Sequence, residues 1–183
     1  MAKPTQVIGI VGSPRRNGNT EVLVDEILAG AKEAGASVSK YVLDELDVRP
    51  CKGCFACEKT NRCVQEDDMV ELVTQMKASQ VWVLGTPIYW WGPSAQFKAF
   101  IDRWVSIGRE HIRGKRVILT MPMGGGSESY ARHTLGMLED VLDYLNMEHL
   151  ATILAPGFGS RGAVKNAREI LSKAHKAGKD SVS

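Results

Sequence analysis

The sequence predicts a doubly wound α/β domain, in which a five-stranded parallel sheet of order 2-1-3-4-5 lies between two layers of helices. Three observations favour this fold. Short apolar runs rich in β-branched residues alternate with stretches of helical periodicity along the chain. Gly or Pro stands at most of the joins between them. The regular alternation is typical of a three-layer αβα domain with right-handed crossovers.

The first predicted strand is almost continuously apolar over Gln6–Val11, which indicates a strand buried on both faces. Four further runs resemble it in composition. The five strands are predicted over Val7–Val11, Ser37–Leu43, Gln80–Gly85, Arg116–Met121 and His149–Leu154. The five helices, which have apolar residues at helical spacing, are predicted over Asn19–Ala34, Asp68–Ala78, Ser94–Val105, Ser127–Leu145 and Ala163–Ala174.

The bulk composition predicts a single globular domain over residues 1–183, since hydrophobic residues make up 44% and charged residues 24% of the chain. The net charge is only +2 and the basic residues are dispersed, so we expect no nucleic-acid partner. No apolar run approaches the roughly 20 residues of a membrane span, and the N-terminus leads directly into a strand. We therefore expect no membrane partner, no signal peptide and a cytoplasmic location. The polar tail over 176–183 is expected to fray.

A loop rich in Gly, Ser, Asn and Thr, residues 12–20, joins the first strand to the first helix. Backbone N–H groups, hydroxyls and the positive end of a helix converge in such a loop, and Arg15 and Arg16 add full charges. The loop lacks the Lys-Ser/Thr ending of a nucleoside-triphosphate site and the Gly-x-Gly-x-x-Gly spacing of a dinucleotide site. A ligand with a single phosphate fits it better. The alternative is an ordinary turn in which Asn19 or Thr20 only caps the helix.

Two more loops are predicted to reach the same edge of the sheet, because the carboxyl ends of parallel strands meet there. The loop over 86–94 carries the consecutive aromatic residues Tyr89, Trp90 and Trp91, which are unfavourable when exposed together. A flat heterocyclic ligand would bury them. For the two tryptophans, burial against a helix or against a partner subunit is an equal alternative. The Gly-rich loop over 122–129 would let the backbone approach a ring closely.

The loops strongly resemble those of the flavodoxin-like NAD(P)H-dependent FMN reductase family, over roughly residues 6–155. Two strings carry the resemblance: Gly-Ser-Pro-Arg with Asn-Gly-Asn-Thr after the first strand, and Pro-Ile-Tyr followed by Gln-Phe-Lys-Ala-Phe-Ile-Asp-Arg. The resemblance implies bound FMN, with its phosphate in the first loop and its ring between the other two, and NAD(P)H as co-substrate. The cofactor-binding residues that it implies are Ser13, Arg15, Asn17, Gly18, Asn19, Thr20, Pro87, Ile88, Tyr89, Trp90, Gly124, Gly125 and Gly126.

All four cysteines lie within thirteen residues, at the spacing C-x2-C-x2-C-x5-C, in a cysteine-rich loop over 50–66. Thiolates at such short intervals can surround one cluster, whereas structural zinc sites more often use two separated pairs. The string also resembles the iron–sulfur flavoprotein branch of the family, which implies a [4Fe-4S] cluster. Free or redox-active thiols and zinc stay open as alternatives. The predicted metal ligands are Cys51, Cys54, Cys57 and Cys63.

The resemblance implies an enzyme that passes electrons from NAD(P)H through FMN to a small acceptor, such as a quinone or a flavin, without a protein nucleophile. The four histidines are widely spaced and form no ligand or triad pattern, so no catalytic residue is assigned. An electron carrier with FMN and a [4Fe-4S] cluster is one rival function. A redox sensor or a metal-stabilised interaction module is another. The resemblance also implies a homodimer or a homotetramer.

Five charged residues are expected to have structural roles. Lys98 and Asp102 are spaced to pair on one helix surface, and Arg103 is expected to be structural beside them. Asp67 and Asp68 are expected to begin a helix, as its cap and its first-turn charge.

Overall fold

The computed structural model describes residues 3–182 and contains one five-stranded parallel sheet in the order β2-β1-β3-β4-β5, which confirms the predicted topology. Parallel pairing is continuous across the sheet, with Val7 of β1 opposite Val38 of β2 on one side and Val81 of β3 on the other. Residues 1, 2 and 183 lie outside the described part, so the predicted start of the chain and the end of its tail are not addressed. The strands are β1 (Gln6–Val11), β2 (Ser37–Val42), β3 (Val81–Gly85), β4 (Arg116–Pro122) and β5 (Glu148–Ala155).

Helices cover both faces of the sheet, as predicted. They are α1 (Asn19–Glu33), α2 (Met69–Ala78), α3 (Ala95–Asp102), α4 (Arg109–Ile112), α5 (Arg132–Tyr144) and α6 (Arg168–Asp180). Alternate residues of a strand point to opposite faces, which divides the core in two. Ile8 and Ile10 of β1 lie in the core that contains residues of α2, α3 and α5, whereas Val7 and Val11 lie in the core under α1 and α6.

The C-terminal helix differs from its predicted form. It begins later than expected, at Arg168, and continues to Asp180 where we expected a frayed tail. Close packing on α1 explains the extra length: a Cβ atom added to Gly178 would lie 1.8 Å from the carbonyl oxygen of Ile27. The two backbones therefore touch, and Ser181 just beyond α6 is buried. The sequence of α6 is polar and the residues that touch α1 are small, so the hydrophobic pattern did not predict this contact.

No helix in the described range, residues 3–182, is both long enough and apolar enough to cross a membrane.

Candidate functional site

A cavity of about 250 Å³ opens at the carboxyl ends of β1, β3, β4 and β5. Eight of the thirteen predicted cofactor residues line it. The lining residues are Ser13, Arg15, Asn19, Thr20, Pro87, Ile88, Tyr89, Pro122, Met123, Gly124, Phe158, Gly159 and Arg161. We call this space the loop cavity. The three loops that the sequence predicted to bind one ligand all line this cavity, and a fourth loop, after β5, lines it as well.

The loop after β1 turns tightly into α1. Gly18 donates its N–H to the Arg15 carbonyl at 3.0 Å, and a Cβ atom on Gly18 would lie 2.6 Å from that oxygen. The turn places the start of α1 against the loop cavity, where Thr20 is buried and Ser13 is 3% exposed. N–H groups in the first turn of a helix lack intrahelical partners and favour anions. The structure thus presents backbone donors, two hydroxyl-bearing residues and Arg15 to one ligand.

Glu21, in the first turn of α1, holds the loop after β1 through hydrogen bonds and ion pairs. Its carboxylate accepts the Asn17 N–H at 2.6 Å and pairs with Lys40 at 2.9 Å and with Arg16 at 3.0 Å. Burial alone would raise the pKa of Glu21, but the hydrogen bonds from Lys40 and Asn17 outweigh it and lower the pKa. Arg16 is therefore directed to Glu21 and Glu45 rather than to the loop cavity. Asn17, in a left-handed conformation at φ 55°, and Gly18 shape the loop without lining that cavity.

The side chain of Asn19, which lines the loop cavity, bonds to the loop after β5. Its Nδ2 donates to the carbonyl oxygens of Phe158 at 2.7 Å and Ser160 at 2.8 Å, and its Oδ1 accepts the Val164 N–H at 3.1 Å. Both N–H groups of the Asn19 amide are therefore donated within the protein. Asn19 fastens the loop after β5 to the start of α1.

The loop after β5, residues 156–162, was missed by the sequence analysis. The Phe158 N–H donates to the Met123 carbonyl at 2.9 Å, and the Gly159 carbonyl accepts Arg15 Nη1 at 3.1 Å. The loop brings Arg161 to the loop cavity as a second cation. Its signal was present in the sequence, because three glycines and an arginine follow a strand there, much as two glycines and two arginines follow β1.

The loop after β3 is held to its neighbours by backbone and hydroxyl bonds. The Ile88 N–H donates to the Pro122 carbonyl at 3.1 Å. Ser94 caps α3 by accepting the Phe97 N–H at 3.2 Å, and its hydroxyl donates a short hydrogen bond to the Gly12 carbonyl. These bonds hold the first two loops in a fixed relation, with Pro87 and Ile88 forming an apolar wall.

The aromatic residues of this loop form a narrow turn that we call the Trp hairpin, Tyr89–Gly92. Tyr89 and Gly92 exchange two backbone hydrogen bonds of 2.9 Å. Trp90, within this turn, is 91% exposed and does not line the loop cavity. Tyr89 lines the loop cavity, whereas Trp90 and Gly125 line a smaller neighbouring space. Gly126 lines neither of the two cavities.

The cysteine loop, residues 50–66, lies after β2, and none of its four thiols is paired in a disulfide. Two sulfurs accept backbone bonds: Cys51 Sγ from Gly53 N–H at 3.4 Å, and Cys63 Sγ from Gln65 N–H at 3.5 Å. Burial and the neighbouring thiols raise the pKa of Cys57. Among the described residues, no three His, Cys, Asp or Glu side chains are arranged to hold a metal ion. The structure thus leaves the predicted ligands Cys51, Cys54, Cys57 and Cys63 near one another without assembling a metal site.

A buried ion pair closes the base of the cysteine loop. Arg103 donates to both oxygens of Asp67, at 2.6 and 3.0 Å, and to the Arg49 carbonyl at 2.7 Å. Burial alone would raise the pKa of Asp67, but the bonds from Arg103 and the Arg49 N–H outweigh it and lower the pKa. Arg103 is thus structural, as expected, but buried. The predicted surface pair of Lys98 and Asp102 is present at 2.6 Å.

Asp67 also has part of its expected role, since its Oδ1 accepts the Met69 N–H at 3.3 Å. Asp68 immediately precedes α2, but its side chain makes no capping bond there. It accepts the Asp47 N–H at 2.7 Å instead.

A parallel 2-1-3-4-5 sheet with a Gly- and Ser-rich loop leading into the first helix and a cleft at the strand ends defines a flavodoxin-like class of protein. The family model described as NADPH-dependent FMN reductase matches residues 5–160. The chain therefore belongs to the NADPH-dependent FMN reductase family.

Known proteins extend this assignment. The chain is 34% identical to an iron-sulfur flavoprotein of Archaeoglobus fulgidus over 84% of its own length and 69% of that protein. It is 32% identical to an iron-sulfur flavoprotein of Methanosarcina thermophila, over 74% of the chain and 71% of that protein. Its fold is similar to that of an NAD(P)H:quinone oxidoreductase from Methanothermobacter marburgensis, with a TM-score of 0.77, 17% identity and coverage of 98% and 96%.

Proposed function

We propose that this chain oxidises NAD(P)H through FMN bound in the loop cavity and delivers the electrons to a small acceptor. The observation that carries the proposal is the convergence, in one cavity, of a helix N-terminus and two arginines with an apolar wall. When bound, FMN supplies the hydride-accepting and electron-donating chemistry. The chain's own residues bind it, orient it and leave one part of it accessible.

The polar half of the loop cavity fits a phosphate dianion. Arg15 and Arg161 supply positive charge, and Ser13 and Thr20 lie beside the first-turn N–H groups of α1. Hydrogen bonds between charged groups are stronger than neutral ones, and a helix N-terminus adds a favourable dipole. The buried position of Ser13 and Thr20 keeps these donors fixed before a ligand arrives. This half gives affinity and sets the position of the flavin.

The apolar half fits a flat ring system. Pro87 and Ile88 form one wall and Met123 and Gly124 the other. The N–H of Ile88 is bonded to the Pro122 carbonyl, which ties this wall to the loop after β4. Tyr89 lines the same cavity and is 41% exposed, and we infer that the nicotinamide approaches the bound ring from this side.

None of the described histidines lines the loop cavity. His175 is occupied by Glu26 and Glu33 at 2.7 and 2.8 Å, and His149 lies 2.8 Å from the Thr152 hydroxyl. Hydride transfer needs no protein nucleophile. The contribution of the chain is therefore positioning rather than acid–base chemistry.

The direct test is anaerobic addition of NADH or NADPH to the FMN-loaded protein. We expect the visible absorbance of the oxidised flavin to disappear, and to return when a quinone or hexacyanoferrate(III) is added. Comparing the two nucleotides gives the preference between them. An FMN-loaded protein whose flavin stays oxidised under excess NADH and NADPH, but is bleached by dithionite, would contradict the reductase.

An electron carrier with FMN and a [4Fe-4S] cluster is the second candidate. Four thiols at short spacing, backbone N–H bonds to two of their sulfurs, and relatives named iron-sulfur flavoprotein support it. Hydrogen bonds to sulfur stabilise the thiolate that a metal requires. In the conformation described, the four sulfurs do not form a ligand set, so the loop would have to close around a cluster.

Iron and sulfide content of protein purified anaerobically from iron-replete cells tests this candidate. A cluster predicts about four irons per chain, and Cys57→Ala should lose iron but keep FMN. The matched control is the flavin content, since the loop cavity contains none of the cysteines. A preparation that contains FMN, no iron and four titratable thiols would rule out the carrier and leave the reductase as the remaining proposal.

A homodimer or homotetramer is also proposed. Phe55, Val105 and Tyr144, which are 65%, 56% and 67% exposed, surround an apolar cavity beside the cysteine loop. Large exposed apolar residues in one patch favour an interface. Light scattering at micromolar concentration should give a multiple of the 20.0 kDa chain mass, and a mass near 20.0 kDa would refute it.

A further inference from the structure

A cavity of about 380 Å³ lies at the edge of the sheet opposite to the loop cavity, where β3 and β4 begin. Its lining comes from the end of α2, from α4 and from the segment that enters β4. The titratable residues of this lining are Lys77, Glu110, His111, Arg113, Lys115 and Arg116. We call this space the basic cavity. It shares no lining residue with the loop cavity, so a ligand bound in it would be separate from the proposed flavin.

The lining of the basic cavity has an excess of positive charge. Four lysine or arginine side chains contribute to it, and Glu110 is the one carboxylate among the lining residues that the structure describes. The whole chain carries a net charge of only +2, so cations are concentrated here. Glu110 is engaged outside the cavity as well, since its Oε1 accepts Asn61 Nδ2 at 3.0 Å. Cations around one concave space repel one another and attract an anion that relieves the repulsion.

Lys115 is held in position at this cavity. Its ammonium group donates to the Lys77 carbonyl at 2.7 Å and makes a short hydrogen bond to the Ser79 carbonyl. Both carbonyls lie at the carboxyl end of α2, where a helix carries partial negative charge. Burial lowers the pKa of Lys115, which shows that the charged form has lost part of its hydration. An ammonium group has three N–H donors, so one remains for a ligand in the cavity.

The backbone of residues 113–116, which carries three of the four cations, is fixed to its neighbours. Gly114 adopts a φ of 74°, which favours glycine, and its N–H donates to the Asn146 carbonyl at 2.9 Å. The Arg116 N–H donates to the Gln80 carbonyl at 3.1 Å. These bonds tie the turn to the segments before β3 and before β5, so the cations belong to a preformed turn.

The chemistry of the lining restricts the ligand to a compact polyanion. Arginine binds phosphate oxygens through two parallel hydrogen bonds, and lysine binds them as a point charge. Several cations around one small cavity match the charges of linked phosphates better than the single charge of a carboxylate. None of the lining residues that the structure describes has an aliphatic or benzenoid side chain. The lining therefore offers no apolar surface to a lipid chain and no stacking surface beyond the imidazole of His111.

We propose that the basic cavity binds a chain of two or three linked phosphates, either as free inorganic polyphosphate or as the phosphate chain of a nucleotide. The ligand is recognised through its phosphates, with Arg113, Lys115 and Arg116 contributed by one turn and Lys77 by the last turn of α2. This site goes beyond the proposed reductase function and does not depend on it, because no residue of the loop cavity takes part.

Calorimetric titration of the full chain with inorganic tripolyphosphate tests the site. Excess FMN is present, so that the phosphate region proposed in the loop cavity is filled. We expect one ligand per chain, and Arg113→Ala should weaken its binding about tenfold because a charge-assisted hydrogen bond is lost. Arg113 is exposed, so its removal should leave the thermal unfolding temperature unchanged. Lys173→Ala is the matched control, since Lys173 is an exposed cation of α6 outside the basic cavity.

A second titration, with ATP, distinguishes the two sources of the phosphates. ATP should bind about as tightly as tripolyphosphate, because the lining has no surface for the adenine ring. Binding of ATP without binding of tripolyphosphate would contradict recognition through phosphates. Equal weakening in Arg113→Ala and Lys173→Ala would reduce the effect to general attraction between charges. Loss of tripolyphosphate binding in Arg15→Glu but not in Arg113→Ala would assign the anion to the loop cavity, and no binding by the unaltered protein would overturn the site outright.

Discussion

The carboxylate of Asp67 and the guanidinium of Arg103 form a two-point ion pair from which solvent is excluded, with N–O distances of 2.6 and 3.0 Å. Asp67 immediately follows the cysteine loop, and Arg103 follows α3, whose first turn is tied through Ser94 to Gly12. One short helix therefore connects the base of the cysteine loop to the loop after β1, which lines the loop cavity.

Breaking this pair should destabilise the protein strongly. Asp67→Asn leaves a buried guanidinium without its counter-charge, so we expect the free energy of unfolding to fall by about 3 kcal/mol. Asp102→Asn breaks the exposed pair with Lys98 and should cost about 0.5 kcal/mol. Chemical denaturation of both variants at pH 7 measures the difference. Equal effects would show that burial of the Asp67–Arg103 pair has no energetic consequence.

The same pair should protect the cysteine loop from proteolysis. The loop carries three trypsin sites, Lys52, Lys59 and Arg62, on largely exposed backbone. Arg103→Lys keeps the charge but loses the two-point geometry, so we expect faster cleavage at these sites. Mass spectrometry of limited digests gives the rates, with Lys98→Gln as the control. Cleavage at an unchanged rate would mean that Arg103 does not hold the loop closed.

Asn19→Ala should weaken FMN binding by about tenfold, through displacement of the loop after β5 rather than loss of a phosphate bond. The three bonds that Asn19 makes to residues 158–164 would be lost, and Arg161 would no longer be held at the loop cavity. Hydrogen exchange of residues 157–164 should increase in parallel. The exposed Asn166 provides a control, Asn166→Ala. Weaker FMN binding with unaltered exchange would restore the direct role that the sequence suggested for Asn19.

Glu21 should make stability depend on acid pH. Its folded pKa is lowered, so its contribution is complete above the unfolded value of about 4.3 and is lost as the pH falls through the folded value. At pH 7, Glu21→Gln should reduce the free energy of unfolding by about 1–2 kcal/mol. The difference from the unaltered protein should shrink from about pH 5 downwards. A difference that grows on acidification would contradict the direction of the pKa shift.

Much of the fold followed from sequence because local patterns determine it. The apolar runs predicted all five strands, and their alternation with helices predicted the strand order. The C-terminal helix was underestimated because its contact with α1 depends on Gly30 and Gly178, whose missing side chains give no hydrophobic signal. Contacts between distant segments of this kind are not encoded in periodicity.

The part of the candidate site that one loop supplies could be predicted from the sequence. The part that forms where distant loops meet could not. Ser13, Arg15 and Thr20 come to the expected cavity because they lie on the turn into α1. The roles of Asn19 and Arg161 depend on how the loop after β5 folds back over that turn, which no local pattern reveals. The burial of Arg103 similarly depends on Asp67, thirty-six residues earlier.

The central claim is that the start of α1 and Arg15 bind the phosphate of FMN. The most direct measurement is the dissociation constant of FMN and of riboflavin, which lacks the phosphate, for the unaltered protein and for Arg15→Glu. We predict that Arg15→Glu weakens FMN binding by about tenfold or more and riboflavin binding by less than about twofold, because only FMN offers an anion to the arginine. Equal weakening of both ligands, or undiminished FMN binding, would contradict the claim.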